Sequence, residues 1–242
     1  MTTGESAAHS SQRRRRVASR RQTGDLVRIG IWALPLSGLL ALVGLLGRYN
    51  APNPRVDFRA AAQAASSTSF FVSQFVGNVV GLTVLIFGIL ALTAYLSNTR
   101  ARGLALVAMV LSIVGVALVL SALGVTTYAL PAIGHSYMNG QGDAVAIADA
   151  IFRSTLRNAI FIPVFISYSA GFILFGVAIW RSGVLRKGAA LSLGLHAPLV
   201  SSFVKPQPTL GVVLGAALFI LGGTLIALDV SRRPSARGRQ PE

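Results

Sequence analysis

The chain has 242 residues, of which 53% are hydrophobic and only 12% charged, and its mean hydropathy is +0.65. A soluble domain carries about 25% charged residues, so half that share excludes an ordinary soluble globule and places the chain in the membrane class. The lack of cysteine excludes disulfides, thiolate metal sites, iron–sulfur clusters and thiol nucleophiles. The net charge of +15 does not point to nucleic acid, because the basic residues sit in tails and turns between apolar runs rather than on one folded face.

Residues 1–26 begin "MTTGESAAHSSQRRRRVASRRQTGD", rich in Ser and Arg and without apolar periodicity. That composition predicts a disordered basic tail on the cytoplasmic side. Its arginines Arg13, Arg14, Arg15, Arg16, Arg20 and Arg21 are expected to contact anionic lipid head groups in a salt-sensitive way. "SRRQTGD" has some likeness to a twin-arginine export signal. However, no small-residue cleavage site follows the first apolar run, which ends "GLLGRYNAPNP", so the segment reads as a retained anchor.

A helix needs about 20 apolar residues to cross roughly 30 Å of hydrocarbon. Five runs satisfy this directly, at 27–47, 70–97, 104–130, 159–180 and 211–229, with Trp32, Tyr49, Phe70, Tyr95, Tyr128 and Trp180 at their borders. Between the first two, the alanines of "DFRAAAQAASSTS" (57–69) predict that the second span continues outward as helix. Inside that span Gln74 and Asn78 lie one turn apart, placed either to line a cavity or to hydrogen-bond a neighbouring helix. "GNVVG" (77–81) and "GVVLG" (211–215) give two GxxxG patterns, through Gly77 and Gly81 and through Gly211 and Gly215. These predict close helix packing within the bundle, with homo-oligomer contacts as the second use. Residues 143–158 predict a short helix after an Asp143 cap. Val145, Ala148, Phe152 and Leu156 share one face, and Asp149, Arg153 and Arg157 another. It reads as an interfacial helix on the outer membrane surface or a lid over the bundle.

The sixth candidate, "GAALSLGLHAPLVSSFV" (188–204), is only long enough for about 26 Å of helix. Parity decides in its favour. Six crossings keep the tail, Arg100, Arg102, Arg181, Arg186, Lys187 and the terminal Arg232, Arg233, Arg237 and Arg239 on one side, whereas five would strand the last four outside. The expected fold is therefore an all-α, six-helix transmembrane bundle with short interfacial helices in the two long external loops. The membrane domain covers 27–230, and a second basic cytoplasmic tail covers 231–242. A faint tandem repeat relates spans 2–3 to spans 4–5, through "IFGILALTAYLSNTRARGLALVAMV" (86–110) and "LFGVAIWRSGVLRKGAALSLGL" (174–195).

In its "AIWRSGVLRKGAAL" turn (178–191) and its closing "GGTLIALDVSRR" (222–233), the chain resembles uncharacterised multi-pass membrane proteins of GC-rich Gram-positive, actinobacterial genomes. The arginine bias and the abundance of Ala, Gly and Val agree with such a source. The resemblance implies a multi-pass plasma-membrane protein and carries no catalytic residues.

His196 is the midpoint of 188–204, and ionisable residues at mid-membrane are candidate functional sites. Pro198 cannot donate to the Gly194 carbonyl, which predicts a kink and a free acceptor at that depth. The structural alternative is a neutral imidazole hydrogen-bonded to Ser167, Tyr168 or Ser169 of the fourth span, or to Ser112 of the third. No acidic residue lies deep in a span, which argues against an ordinary proton-coupled carrier, and Asp229 is expected to pair with Arg232 and Arg233. His135, Asp57, Asp143 and Asp149 match no metal helix, nucleophile elbow or phosphate loop, so neither metal nor cofactor is implied. The sequence thus points to a non-catalytic accessory or regulatory protein of a bacterial plasma membrane, with both termini cytoplasmic and the bilayer as its partner. Its first alternative is a small-solute or ion transporter using Pro198 and His196, and its second a membrane-embedded enzyme.

Overall fold

The computed structural model describes residues 24–49, 57–152, 155–200 and 210–232, and among these no strand occurs. Eight helices follow in order: α1 Gly24–Arg48, α2 Phe58–Ala65, α3 Thr68–Leu96, α4 Arg102–Met138, α5 Ala144–Phe152, α6 Thr155–Ser182, α7 Lys187–Val200 and α8 Leu210–Arg232. Five of them, α1, α3, α4, α6 and α8, are long and apolar enough to cross a membrane. The tail arginines Arg13 to Arg21, residues 201–204 of the short candidate span, residues 233–242 and Arg153 lie outside the described residues.

The long helices and α7 pack in chain order, α1 on α3, α3 on α4, α4 on α6, α6 on α7 and α7 on α8, and α8 returns to α1. In lipid, burying apolar surface gives no net drive for helix association, so close van der Waals approach must supply it. Glycines set that approach at nearly every seam. The backbones of Gly77 on α3 and Gly44 on α1 abut so closely that a methyl on either would collide with the other. A methyl at Gly115 would come within 2.6 Å of the Tyr168 backbone, and one at Gly176 within 2.7 Å of the Ala190 carbonyl oxygen. Gly215 faces Val200 and the His196 carbonyl, and Gly223 faces Leu34 and Pro35. Gly30 faces Ala91 where Gly44 faces Gly77, Gly38 faces Phe219 where Gly223 faces Leu34, and Gly115 faces Tyr168 where Gly171 faces Ser112, so α1 is antiparallel to α3 and α8, and α4 to α6.

One end of the bundle is basic and carries the main buried core. There Ile31, Leu34, Ile89, Leu92, Phe175, Ile179, Ala189 and Ile226 form a continuous buried core. Arg100 Nε, in the α3–α4 turn, donates to the Arg181 carbonyl at 2.5 Å, and Lys187 Nζ lies 4.9 Å from the Trp180 ring centre. Asp229 does not pair with Arg232, and its other expected partner, Arg233, lies outside the described residues. The Asp229 carboxylate takes the Arg186 guanidinium at 2.9 Å and the Arg186 backbone N–H at 3.0 Å, because α8 ends beside the α6–α7 turn.

The far end corrects several boundaries. The second span does not simply continue outward. Ser67 caps the Phe70 N–H at 3.2 Å and Ser66 Oγ bonds back to the Ala62 carbonyl, so α2 is a separate helix with its own Asp57 cap on Ala60 N. The helix of the third apolar run does not stop at residue 130. A π-helical turn, Val125–Ala129, precedes Pro131, which falls in the first turn of the resumed α-helix, where a missing N–H costs little. Thr126 and Thr127 both bond the Leu123 carbonyl at 2.8 Å, and α4 runs on to Met138. That extension carries α2, through Phe58 edge-on to Tyr137 at 5.0 Å, and α5, through Ala144 and Ala148 against Ile133. The buried face of α5 is therefore Ala144, Ala148 and Ile151. Val145, which the sequence places on one face with Ala148, is 43% exposed, and the small alanines make the contact with α4. Finally, α7 is a helix of 14 residues that continues through Pro198 as far as Val200.

Candidate functional site

The half of the bundle away from the basic turns is not filled. It holds a cavity of about 160 Å³ to which α1, α3, α4, α6, α7 and α8 all contribute wall residues. On each helix the lining runs from the middle of the bundle to the far end: Ser37 to Arg48, Leu85 to Gln74, Val119 to Leu123, Tyr168 to Phe161, His196 to Val200 and Phe219 to Val212. The wall is largely aliphatic and aromatic, with its polar groups collected at the two ends.

At the deep end sits His196, 1% exposed. Its Nδ1 lies 2.5 Å from the Leu193 carbonyl oxygen one turn back, and its Nε2 lies 3.4 Å from the Tyr168 hydroxyl. A carbonyl only accepts, so Nδ1 carries the proton, and in the neutral ring Nε2 accepts from the hydroxyl. Three rings enclose the imidazole. Phe172 stands edge-on at 4.6 Å, Phe219 tilted at 4.7 Å and Tyr168 edge-on at 5.9 Å. Ser37, also at this depth, bonds its own Leu34 carbonyl at 2.7 Å.

At the far end Gln74 Nε2 donates to the Gly44 carbonyl of α1 at 2.8 Å, and Asn78 Nδ2 donates to Gln74 Oε1 at 3.0 Å. Both lie at or beside a π-helical turn of α3, Phe75–Val80, so the pair bridges two helices and also lines the cavity. Such π-turns are often found at functional sites. Arg48 completes this end and is, among the described residues, the only charged one lining the cavity.

The residues singled out by sequence are thus divided. His196 and Tyr168 meet, and Gln74 and Asn78 lie on the same cavity. Gly194 faces Gly176 at the α6–α7 seam, and Ser169 is buried on α6. Ser112 is far from the imidazole in contact terms. It is wedged against Gly171 at the α4–α6 crossing, and its hydroxyl has no hydrogen-bond partner. Ser167 bonds the Pro163 carbonyl at 2.5 Å instead of a ring nitrogen. Pro198 follows His196 by two residues in the last described turn of α7. His135, at the far end of α4, is exposed and bonds the Pro131 carbonyl of its own helix at 3.1 Å. Sequence reasoning missed Arg48, Phe172 and Phe219. Arg48 closes the first apolar run just before the interfacial Tyr49, which gave it the look of a border residue. No protein-family model, curated protein or solved structure matches the chain.

Proposed function

We propose that this is a non-catalytic, six-crossing protein of a bacterial plasma membrane that holds a membrane-dissolved, apolar molecule in the cavity beneath Arg48. The cavity itself carries the reading. Its wall is largely apolar and it is partly open rather than sealed, so an apolar molecule of the bilayer that enters gains dispersion contacts that an empty space forgoes.

Six crossings are supported by the Arg186–Asp229 pair, which holds the end of α8 beside the end of α6. The 23 residues of α8 are about 34 Å long, so its start lies at the far end, which supports a crossing by α7 between the α6–α7 turn and Leu210. Leu191 and Leu195, one turn apart on α7, are 52% and 55% exposed, as on a helix with a lipid-facing side. The basic end is the cytoplasmic one by the positive-inside rule. The stretches 86–110 and 174–195 both form hairpins whose basic turns meet there, which supports their tandem relation. The buried core at that end favours binding over conduction, and the satisfied hydrogen bonds of His196 favour a packing role over proton transfer.

The test uses the full chain in lipid nanodiscs and a diazirine-bearing hexadecanol as an apolar photoprobe, with labelled peptides identified by mass spectrometry. Labelling is expected on the cavity segments Phe161–Tyr168 and Val212–Phe219, and Ala216→Trp, which fills the cavity, is expected to reduce it to background. Unchanged labelling of those segments in the Ala216→Trp protein would overturn the proposal.

A further inference from the structure

We infer that the guest is an anionic amphiphile of the outer leaflet, with its acidic head group at Arg48 and its tail directed at His196. This rests on the cavity reading above and adds the chemistry of what fills it. Three observations carry it.

The first is the segregation of polarity. At the deep end every polar group has its partner close by: His196 Nδ1 on the Leu193 carbonyl, the Tyr168 hydroxyl on His196 Nε2, and Ser37 on the Leu34 carbonyl. Every donor at that end is thereby used, so an accepting group such as an oxyanion would have to displace one of these bonds, and the deep end suits the hydrocarbon terminus of an anionic amphiphile. The second is the sign of the far end. Arg48 is cationic, and the side-chain amides of Gln74 and Asn78 each keep a second N–H beyond the bond already made. No Asp or Glu is among the residues lining the cavity. That end therefore favours an oxyanion, and a guanidinium recognises phosphate especially well. The third is length. From Ser37 to Arg48 along α1 the cavity wall covers eleven residue steps, about 16 Å at 1.5 Å per residue. This is close to half of the roughly 30 Å hydrocarbon thickness. A molecule filling the cavity from head to tail is as long as one leaflet is deep, which is the dimension of a lipid and not of a free anion.

The experiment compares two photoprobes of equal chain length, diazirine-bearing hexadecyl phosphate and the neutral hexadecanol, on the full chain in neutral-lipid nanodiscs. The phosphate probe is expected to label the cavity segments about tenfold more strongly, as one charge-assisted hydrogen bond would give. Arg48→Gln should bring it down to the level of the alcohol, while Arg48→Lys should keep most of the preference. Millimolar inorganic phosphate should not compete, whereas unlabelled hexadecyl phosphate should. Equal labelling by the two probes, or an unchanged preference in Arg48→Gln, overturns the anionic head group. Competition by inorganic phosphate as strong as by hexadecyl phosphate overturns the lipid source. In both cases labelling by hexadecanol that Ala216→Trp removes would leave the cavity reading standing, so the two failures are distinguishable.

Discussion

The imidazole of His196 touches two phenylalanine rings at 4.6 and 4.7 Å, and the Tyr168 hydroxyl stands 3.4 Å from its Nε2. Packing and hydrogen bonding can therefore be removed separately. Tyr168→Phe deletes only the long hydrogen bond, and interhelical bonds of this kind average about 0.6 kcal/mol. His196→Ala deletes the ring and enlarges a cavity already present, which for a large buried side chain costs about 2–4 kcal/mol. Unfolding of the purified full chain should rank them in that order. If Tyr168→Phe proved as costly as His196→Ala, the hydrogen bond and not the rings would be holding the imidazole. His196 was legible in the sequence because a lone ionisable residue in an apolar run stands out. The serines were not, because which face of a helix meets which neighbour is settled between helices. Ser112 ended against Gly171 and Ser167 on its own helix. Arg48 was invisible as a site for a related reason: an arginine at the end of a span reads as a border until a cavity is seen beside it.

Between elements, glycine performs two unlike tasks, and one substitution tests both. Gly77 lies against the Gly44 backbone, which has no flexible atom to yield, so Gly77→Ala must push α1 and α3 apart. Overpacking of this kind costs about 1–3 kcal/mol, and the displacement should also break the Gln74 bond to the Gly44 carbonyl. Gly124 is in α4 with open space where a side chain would go. Gly124→Ala should stabilise the protein by about 0.5–1 kcal/mol through helix propensity alone. Equal effects at the two positions, read from denaturation of the purified chain, would show that the α1–α3 seam is not set by backbone contact. The existence of the long helices was legible because apolar length and hydropathy are properties of a run by itself. Their irregularities were less so. The Ser66–Ser67 break looked like helix because alanine dominates on its N-terminal side. The third apolar run reads only to residue 130 because nothing in the local sequence announces that a π-turn carries the helix on past it.

At the scale of the molecule the reading depends on how many times the chain passes through the bilayer. The Arg186–Asp229 pair requires the α6–α7 turn and the end of α8 to share a side, and the Arg100 bond to the Arg181 carbonyl adds the α3–α4 turn to the same surface. The length of α8 supports the proposed sixth crossing: its 23 residues are too long to lie within one leaflet, so Leu210 and the α6–α7 turn fall at opposite ends of the bundle. The side can be read directly, because the chain contains no cysteine and a single introduced thiol has no background. Asn98, Gly142 and Ser231 are exposed positions on, respectively, the α3–α4 turn, the α4–α5 turn and the last turn of α8. In intact cells a membrane-impermeant maleimide should label Gly142→Cys and leave Asn98→Cys and Ser231→Cys unlabelled until the membrane is opened. Reversal of all three would invert the orientation but keep the crossings and the cavity, placing Arg48 in the cytoplasmic leaflet. Labelling of Ser231→Cys with Asn98→Cys protected would be incompatible with the bundle itself. It would place the two ends of the Arg186–Asp229 contact on opposite sides of the membrane, and the segment carrying His196 would not cross at all.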